Sequence, residues 1–235
     1  MSVNLDFSSY FKDIMQATAE LLEVLPKQRM QDDNWLIIAV HEQGVVTADI
    51  LSSKLNLDFD LLFSEEIATP NNSECTVAMV SETEEIVVKE EIVNSFLINL
   101  DYIYGQAHRL FEKEIIPKVY KYKKGELIST IKNRNVLFID IGCQTGLRAI
   151  SVAKTAIKLG ALSIMYATPI IASDVYEALQ RVMDEIFYVK KVDNFVDVDF
   201  YYENMQKQKQ NDIIEVLNNS KRYLPFSKNR SDDGV

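Results

Sequence analysis

Glycine is scarce in this chain: seven in 235 residues, under half of the roughly 7% usage of ordinary proteins. Glycine lets a backbone approach a ligand closely, so a short window holding both Gly142 and Gly146 stands out. Cysteine is rarer still. Cys75 and Cys143 alone suggest no disulfide framework, which makes a reducing cytoplasm the default expectation. The two histidines, His41 and His108, lie far apart, and no CxxC or HExxH spacing occurs, which removes the usual zinc sites. No apolar run reaches 18 residues, and the opening MSVNLDFSSYFKD has no basic segment leading into an apolar one. Neither a membrane span nor a signal peptide is expected.

Positive charge is also short. Lysine and arginine number 25 against 35 acids, a formal net charge of −10. A polyanionic partner needs a basic footprint that releases counterions, and none dominates, so no nucleic-acid partner is expected. The best basic stretch, 118–124 (KVYKYKK), reads as a solvated helix end whose cations suit the C-terminal dipole.

What is present is a chain 47% hydrophobic, enough for one large α/β domain with a sizeable core. That domain is expected over 1–220, with 64–130 as an inserted loop, short strands and a long helix, and 221–235 as a flexible polar tail. Residues 10–25 pattern as a helix. The nearly continuous apolar run 34–40 patterns as a strand buried on both faces. A helix over 43–55 and a strand over 58–63 follow, then short strands at 76–80 and 85–88, with 69–73 (TPNNS) a loop. A long amphipathic helix is predicted over 90–113, ending before Pro117. A strand at 136–140, a tight turn and a helix at 147–159 come next, with Gly160 placed to end that helix. A strand at 163–168, a helix at 175–183 and a strand at 185–189 complete the pattern. Alternating strands and helices predict a doubly wound, mainly parallel sheet with helices on both faces.

The stretch VLFIDIGCQTGLRAISVAKTAIKLGA joins a buried strand, a glycine-bearing loop and a helix N-terminus. Free N–H groups and the helix dipole there favour a phosphate, and Asp140 emerges where open α/β sheets bind ligands. Thr145 offers a hydroxyl, Gly146 a closely approaching N–H and Arg148 a positive charge. An ordinary tight βα turn would show the same residues.

IDIGCQTG first resembles the glycine-rich loop of S-adenosylmethionine-dependent methyltransferases. Gln144 replaces the middle glycine, however, and the next strand, SIMYATPII, brings no acid for ribose hydroxyls. The sequence more closely resembles the type I phosphoribosyltransferases, in particular bacterial predicted members with a D-D-G-I-A-T-G-A-T loop. Against that loop stand Asp140, Ile141, Gly142, Cys143, Gln144, Thr145, Gly146, Leu147 and Arg148. AVHEQGVVTADIL, EEIATPNNSECTVAMV and DEIFYVKKVDNFVDVDFYYENMQKQKQNDIIEVL follow that family's order over most of 10–217.

The resemblance implies a reaction in which a nitrogen nucleophile displaces pyrophosphate from ribose C1, a pentosyl group transfer that rests on positioning and charge stabilisation. It implies that residues 142–148 hold a 5′-phosphate, that Asp140 holds ribose hydroxyls, and that any Mg²⁺ would sit at Asp140 or on Glu42, Glu65 or Glu66. Arg148 would strengthen phosphate binding, or face solvent, or pair with an acid. The second acid of the pair is Ile141, and the base position is Gln144, which takes no proton at pH 7. In the pyrophosphate loop only Gly44 remains, beside Glu42 and Gln43. Glu65 and Glu66 stand where the family has Arg and Lys. The expected ligand is therefore a small-molecule sugar phosphate or nucleotide, with phosphoribosyl transfer weak or lost. A scaffold or regulatory protein is the alternative. A homodimer is a further expectation, with Tyr201 and Tyr202 offering aromatic anchors, although such aromatics are more often core.

Overall fold

The computed structural model describes residues 10–128 and 130–227. Helices α1 (Ile14–Val24) and α2 (Lys27–Asp32) precede strand β1 (Leu36–Ala39). A 3-10 turn at Glu42–Gly44 leads into α3 (Val45–Leu55), then β2 (Phe59–Leu61), β3 (Ser64–Thr69), β4 (Asn72–Ser81) and β5 (Ile86–Val88). Helix α4 (Glu90–Phe96), helix α5 (Leu100–Leu110), a π turn (Phe111–Ile115) and α6 (Ile116–Lys123) follow. The second half runs β6 (Asn135–Ile139), α7 (Leu147–Lys158), β7 (Ser163–Ala172), α8 (Ser173–Leu179) and β8 (Glu185–Val192). It ends with a 3-10 turn (Asp199–Tyr201), α9 (Gln210–Asn219) and α10 (Leu224–Ser227).

Five strands form one parallel sheet in the order β2-β1-β6-β7-β8, and β3-β4-β5 form a separate antiparallel sheet. Successive side chains of a strand point to opposite faces. Ile37, Leu137, Ile139 and Met165 therefore pack with α1, α3 and α9. Leu36, Ile38, Val136 and Phe138 pack with α7 and α8 on the other side. Both faces are covered, which is why these strands read as unbroken apolar runs. The doubly wound sheet is as the sequence predicts.

Several local expectations change. Strand β3 is not among the predicted strands: it lies over Ser64–Thr69 and pairs with β4. The predicted helix 90–113 is broken, because Leu97 adopts a left-handed φ of 50° and Asn99 caps a new start by accepting the Asp101 N–H. It also continues beyond Pro117, which follows directly on the π turn whose Ile116 N–H reaches back to the Phe111 carbonyl. Strand β7 runs past Pro169, since beyond Ile139 its neighbour is a loop and Ile170 offers its carbonyl to Cys143. Helix α8 starts and stops early, at Ser173 and Leu179.

Two expectations about charge and the tail are corrected. Lys123 is no solvated helix end. It is 1% exposed, and its Nζ donates to Glu82 at 2.6 Å and to the Leu61 carbonyl at 2.9 Å. Tyr223 is fully buried, its ring 5.1 Å from that of Phe59 and its hydroxyl donating to the Tyr122 carbonyl. The chain therefore remains packed beyond Lys221, and residues 228–235 lie outside the described residues.

Candidate functional site

A cleft of about 550 Å³ opens at the carboxyl ends of β1 and β6. The turn at His41, Glu42 and Gln43 and the loop from Asp140 to Gly146 form its floor. Ser64, Glu65 and Glu66 of β3 make one wall, and Val198, Met205 and Lys207 another.

The loop after β6 ends in Gly146, which caps α7 at φ 67° with no side-chain cap hydrogen bond. Among the described residues no protein acceptor takes the N–H groups of Thr145, Leu147 or Arg148. Together with the dipole of α7 they make an anion-favouring corner. The glycines have internal reasons too. A Cβ on Gly146 would lie 2.7 Å from Val175, and one on Gly142 would lie 2.7 Å from Val198. Cys143 stitches the loop to β7, its N–H donating to Ile170 at 2.9 Å and its carbonyl accepting from Ala172 at 3.1 Å. Burial, with the charge of Asp140 beside it, pushes the Cys143 thiol up to about 12, so it is inert near neutrality. Gln144 turns its amide to the Val196 carbonyl at 3.0 Å, and Thr145 is exposed.

Asp140 faces inward. One carboxylate oxygen accepts from His41 Nε2 at 3.0 Å and from the Ile141 N–H at 2.8 Å, the other from the Tyr166 hydroxyl at 2.9 Å. Three of about four lone-pair positions are thus taken by the protein. Burial pushes this carboxyl up, but the His41 hydrogen bond, the charge of Arg148 and the Tyr166 hydroxyl outweigh it and hold it below its ordinary range. The arrangement does not suit Mg²⁺ at Asp140, and among the described residues no group of three or more metal-ligating side chains is assembled. His41, which no sequence motif singles out, accepts the Gln43 N–H on Nδ1 at 3.0 Å. The hydrogen-bond network therefore assigns its proton to Nε2. Ile141 is buried, and its carbonyl accepts from Tyr202 at 2.6 Å. Tyr201 and Tyr202 are 2% and 5% exposed, so both are core rather than dimer anchors.

The acidic wall has partners that lie far from it in the sequence. Lys118 Nζ lies 3.2 Å from Glu42 and 2.7 Å from Glu65. Arg148 donates to the Ser64 carbonyl at 3.0 Å and lies 3.4 Å from Glu66, which also accepts from Thr76 at 2.6 Å. Of the three expectations for Arg148, the structure takes pairing with an acid. Burial pushes the Lys118 amine down, but Glu65 and Glu42 outweigh it and hold it above its usual value. Glu42 is likewise pushed up by burial yet held low by its own backbone N–H and by Lys118. Gly44 packs under the turn, where a Cβ would meet the Ile139 carbonyl at 3.4 Å. Gln43 points away to the C-terminal segment, exchanging two hydrogen bonds with Gln208.

No protein-family model matches the sequence, and comparison with curated proteins finds no relative. Solved structures do match. TT1426 from Thermus thermophilus superposes with a TM-score of 0.71 at 20% identity, over 88% of this chain and 97% of that one. A parallel sheet in this strand order, a glycine loop at the carboxyl end of its central strand and an antiparallel sheet over the cleft define the architecture. The chain has the fold of TT1426, a parallel sheet with helices on both faces and a separate antiparallel sheet. A purine phosphoribosyltransferase from Pyrococcus horikoshii also matches, at 16% identity and a TM-score of 0.43, covering 81% of this chain and 87% of that one. A hypoxanthine-guanine phosphoribosyltransferase from Bacillus anthracis matches at 13% identity and 0.44, over 84% and 95%.

Proposed function

We propose that this phosphoribosyltransferase-like protein binds the phosphate of a ribose 5-phosphate or nucleotide at residues 142–148, and that its transfer of a phosphoribosyl group from phosphoribosyl pyrophosphate is weak or lost. The observation that carries this reading is the contrast between the two ends of one cleft. At one end the N–H groups of Thr145, Leu147 and Arg148 have no protein acceptor at the positive end of α7. At the other, Glu42, Glu65 and Glu66 stand where a pyrophosphate would lie, and the cations beside them are already paired. A like-charge contact near 4 Å costs about 1 kcal/mol in water and about 4 kcal/mol near a protein surface. A single phosphate at the loop escapes that cost; a pyrophosphate leaving group meets it. Gln144 supplies no base, and its amide is committed to Val196.

A second reading is a non-catalytic scaffold or regulatory protein. It is favoured by the inward bonds of Asp140, which leave little capacity for ribose hydroxyls. Calorimetric titration separates the readings. Ribose 5-phosphate or a nucleoside monophosphate is expected to bind, and phosphoribosyl pyrophosphate with Mg²⁺ to bind no tighter. Markedly tighter pyrophosphate binding would restore the ordinary enzyme, and silence toward every compound at millimolar concentration would leave the scaffold.

A further inference from the structure

We propose that Lys207 is the cation that neutralises the phosphorylated ligand in this cleft, and that Gln43 positions it; this rests on the binding reading above. Lys118 and Arg148 are the cations one would choose from their place in the cleft. Lys118, however, spans Glu42 and Glu65, and Arg148 spans the Ser64 carbonyl and Glu66. A cation held against carboxylates presents little net positive charge to a ligand. Among the described residues lining the cleft, Lys207 is the one lysine or arginine with no hydrogen bond or ion pair to the protein. Its ammonium is a compact charge on a flexible four-carbon stem, suited to meeting an anion that arrives.

The backbone around Lys207 is held by a device that the cleft itself supplies. Gln208 donates its N–H to the Gln43 Oε1 at 2.7 Å and accepts from the Gln43 Nε2 at 3.2 Å. One side-chain amide thereby imitates two rungs of a strand ladder and fastens the segment before α9 onto the turn at Glu42–Gly44. Met205 and Lys207 line the cleft, whereas Gln206 and Gln208 do not, the alternation of an extended backbone. Gln43 stands where the sequence resemblance puts the first glycine of a pyrophosphate loop. Here it works as a clasp that turns a lysine from elsewhere in the chain toward a loop that has lost its arginine.

The test titrates ribose 5-phosphate and inorganic phosphate into the full chain and its variants, each first checked for an unchanged thermal melt. Lys207→Gln is expected to weaken ribose 5-phosphate binding about tenfold and to flatten its dependence on salt. Lys207→Arg should restore both. Gln43→Ala should weaken binding in the wild-type background and cost nothing further in Lys207→Gln, because both changes remove one effect. If the wild type binds and Lys207→Gln binds equally well, the assignment of Lys207 is overturned while the binding reading stands. A Gln43→Ala loss of equal size in both backgrounds would overturn the positioning role. Absence of binding by the wild type would overturn both proposals.

Discussion

At Gly142 an added methyl group would lie 2.7 and 2.9 Å from the two methyls of Val198, closer than packed carbons allow. Scarce glycine draws attention to this loop in the sequence, and the reason it suggests there is ligand approach. The structure adds a neighbour that no local pattern could announce, because Val198 comes from far along the chain. Gly142→Ala should destabilise the protein by about 1–3 kcal/mol, and Val198→Ala in the same chain should recover much of it, as read by chemical denaturation. A double variant no more stable than the single one would dismiss the contact. Asp140 is legible as an acid at a strand end, but its three inward bonds are not. Its carboxyl is held low, so the stability it contributes is present above its ordinary value of 3.8 and is lost as pH falls through the lower folded value. Asp140→Asn should cost about 1–3 kcal/mol at neutral pH, where an amide cannot accept from three donors. The deficit should shrink below about pH 4, the ordinary carboxylate value, measured by denaturation at several pH values; a constant deficit would show that the charge is not responsible.

The elements readable in advance are those whose environment is written locally. Strands β1 and β6 are apolar on both faces, and α7 carries a buried stripe of Ala149, Val152, Ala153 and Ala156. Strand β3 is illegible because SEEIAT puts two glutamates on a strand, and their partners, Lys118 and Arg148, are remote in sequence. The end of α6 misleads for the same reason. Its lysines suit a helix C-terminus in solvent, yet Lys123 is buried against Glu82, whose other oxygen takes the Phe63 N–H at 2.8 Å. Burial pushes the Glu82 carboxyl up despite Lys123, so removing the lysine strands an acid in the core. Lys123→Met should cost about 3–5 kcal/mol, and pairing it with Glu82→Met should return only part of that, because the Phe63 and Ile128 N–H groups lose their acceptor. Thermal melts of the three proteins decide it. A double variant as unstable as the single would mean that the pair does more than neutralise itself.

On the scale of the whole molecule, the acidic excess of the chain, −10 overall, continues into the cleft. Glu42, Glu65, Glu66, Glu74, Asp140 and Asp199 line it against Lys118, Arg148 and Lys207. The acids Glu42, Glu65 and Glu66 are visible in the sequence, and the family resemblance sets them where cations are expected, but the compensating lysine on α6 emerges only when the antiparallel sheet folds over the parallel one. On the function proposed above, the cleft would favour one phosphate at the start of α7 and resist a second negative group across from it. A crystal structure of the protein soaked with ribose 5-phosphate tests this most directly. The phosphate is expected within hydrogen-bond distance of the N–H groups of Thr145, Leu147 and Arg148; a phosphate bound instead beside Glu42 and Glu65, with the loop empty, would contradict it.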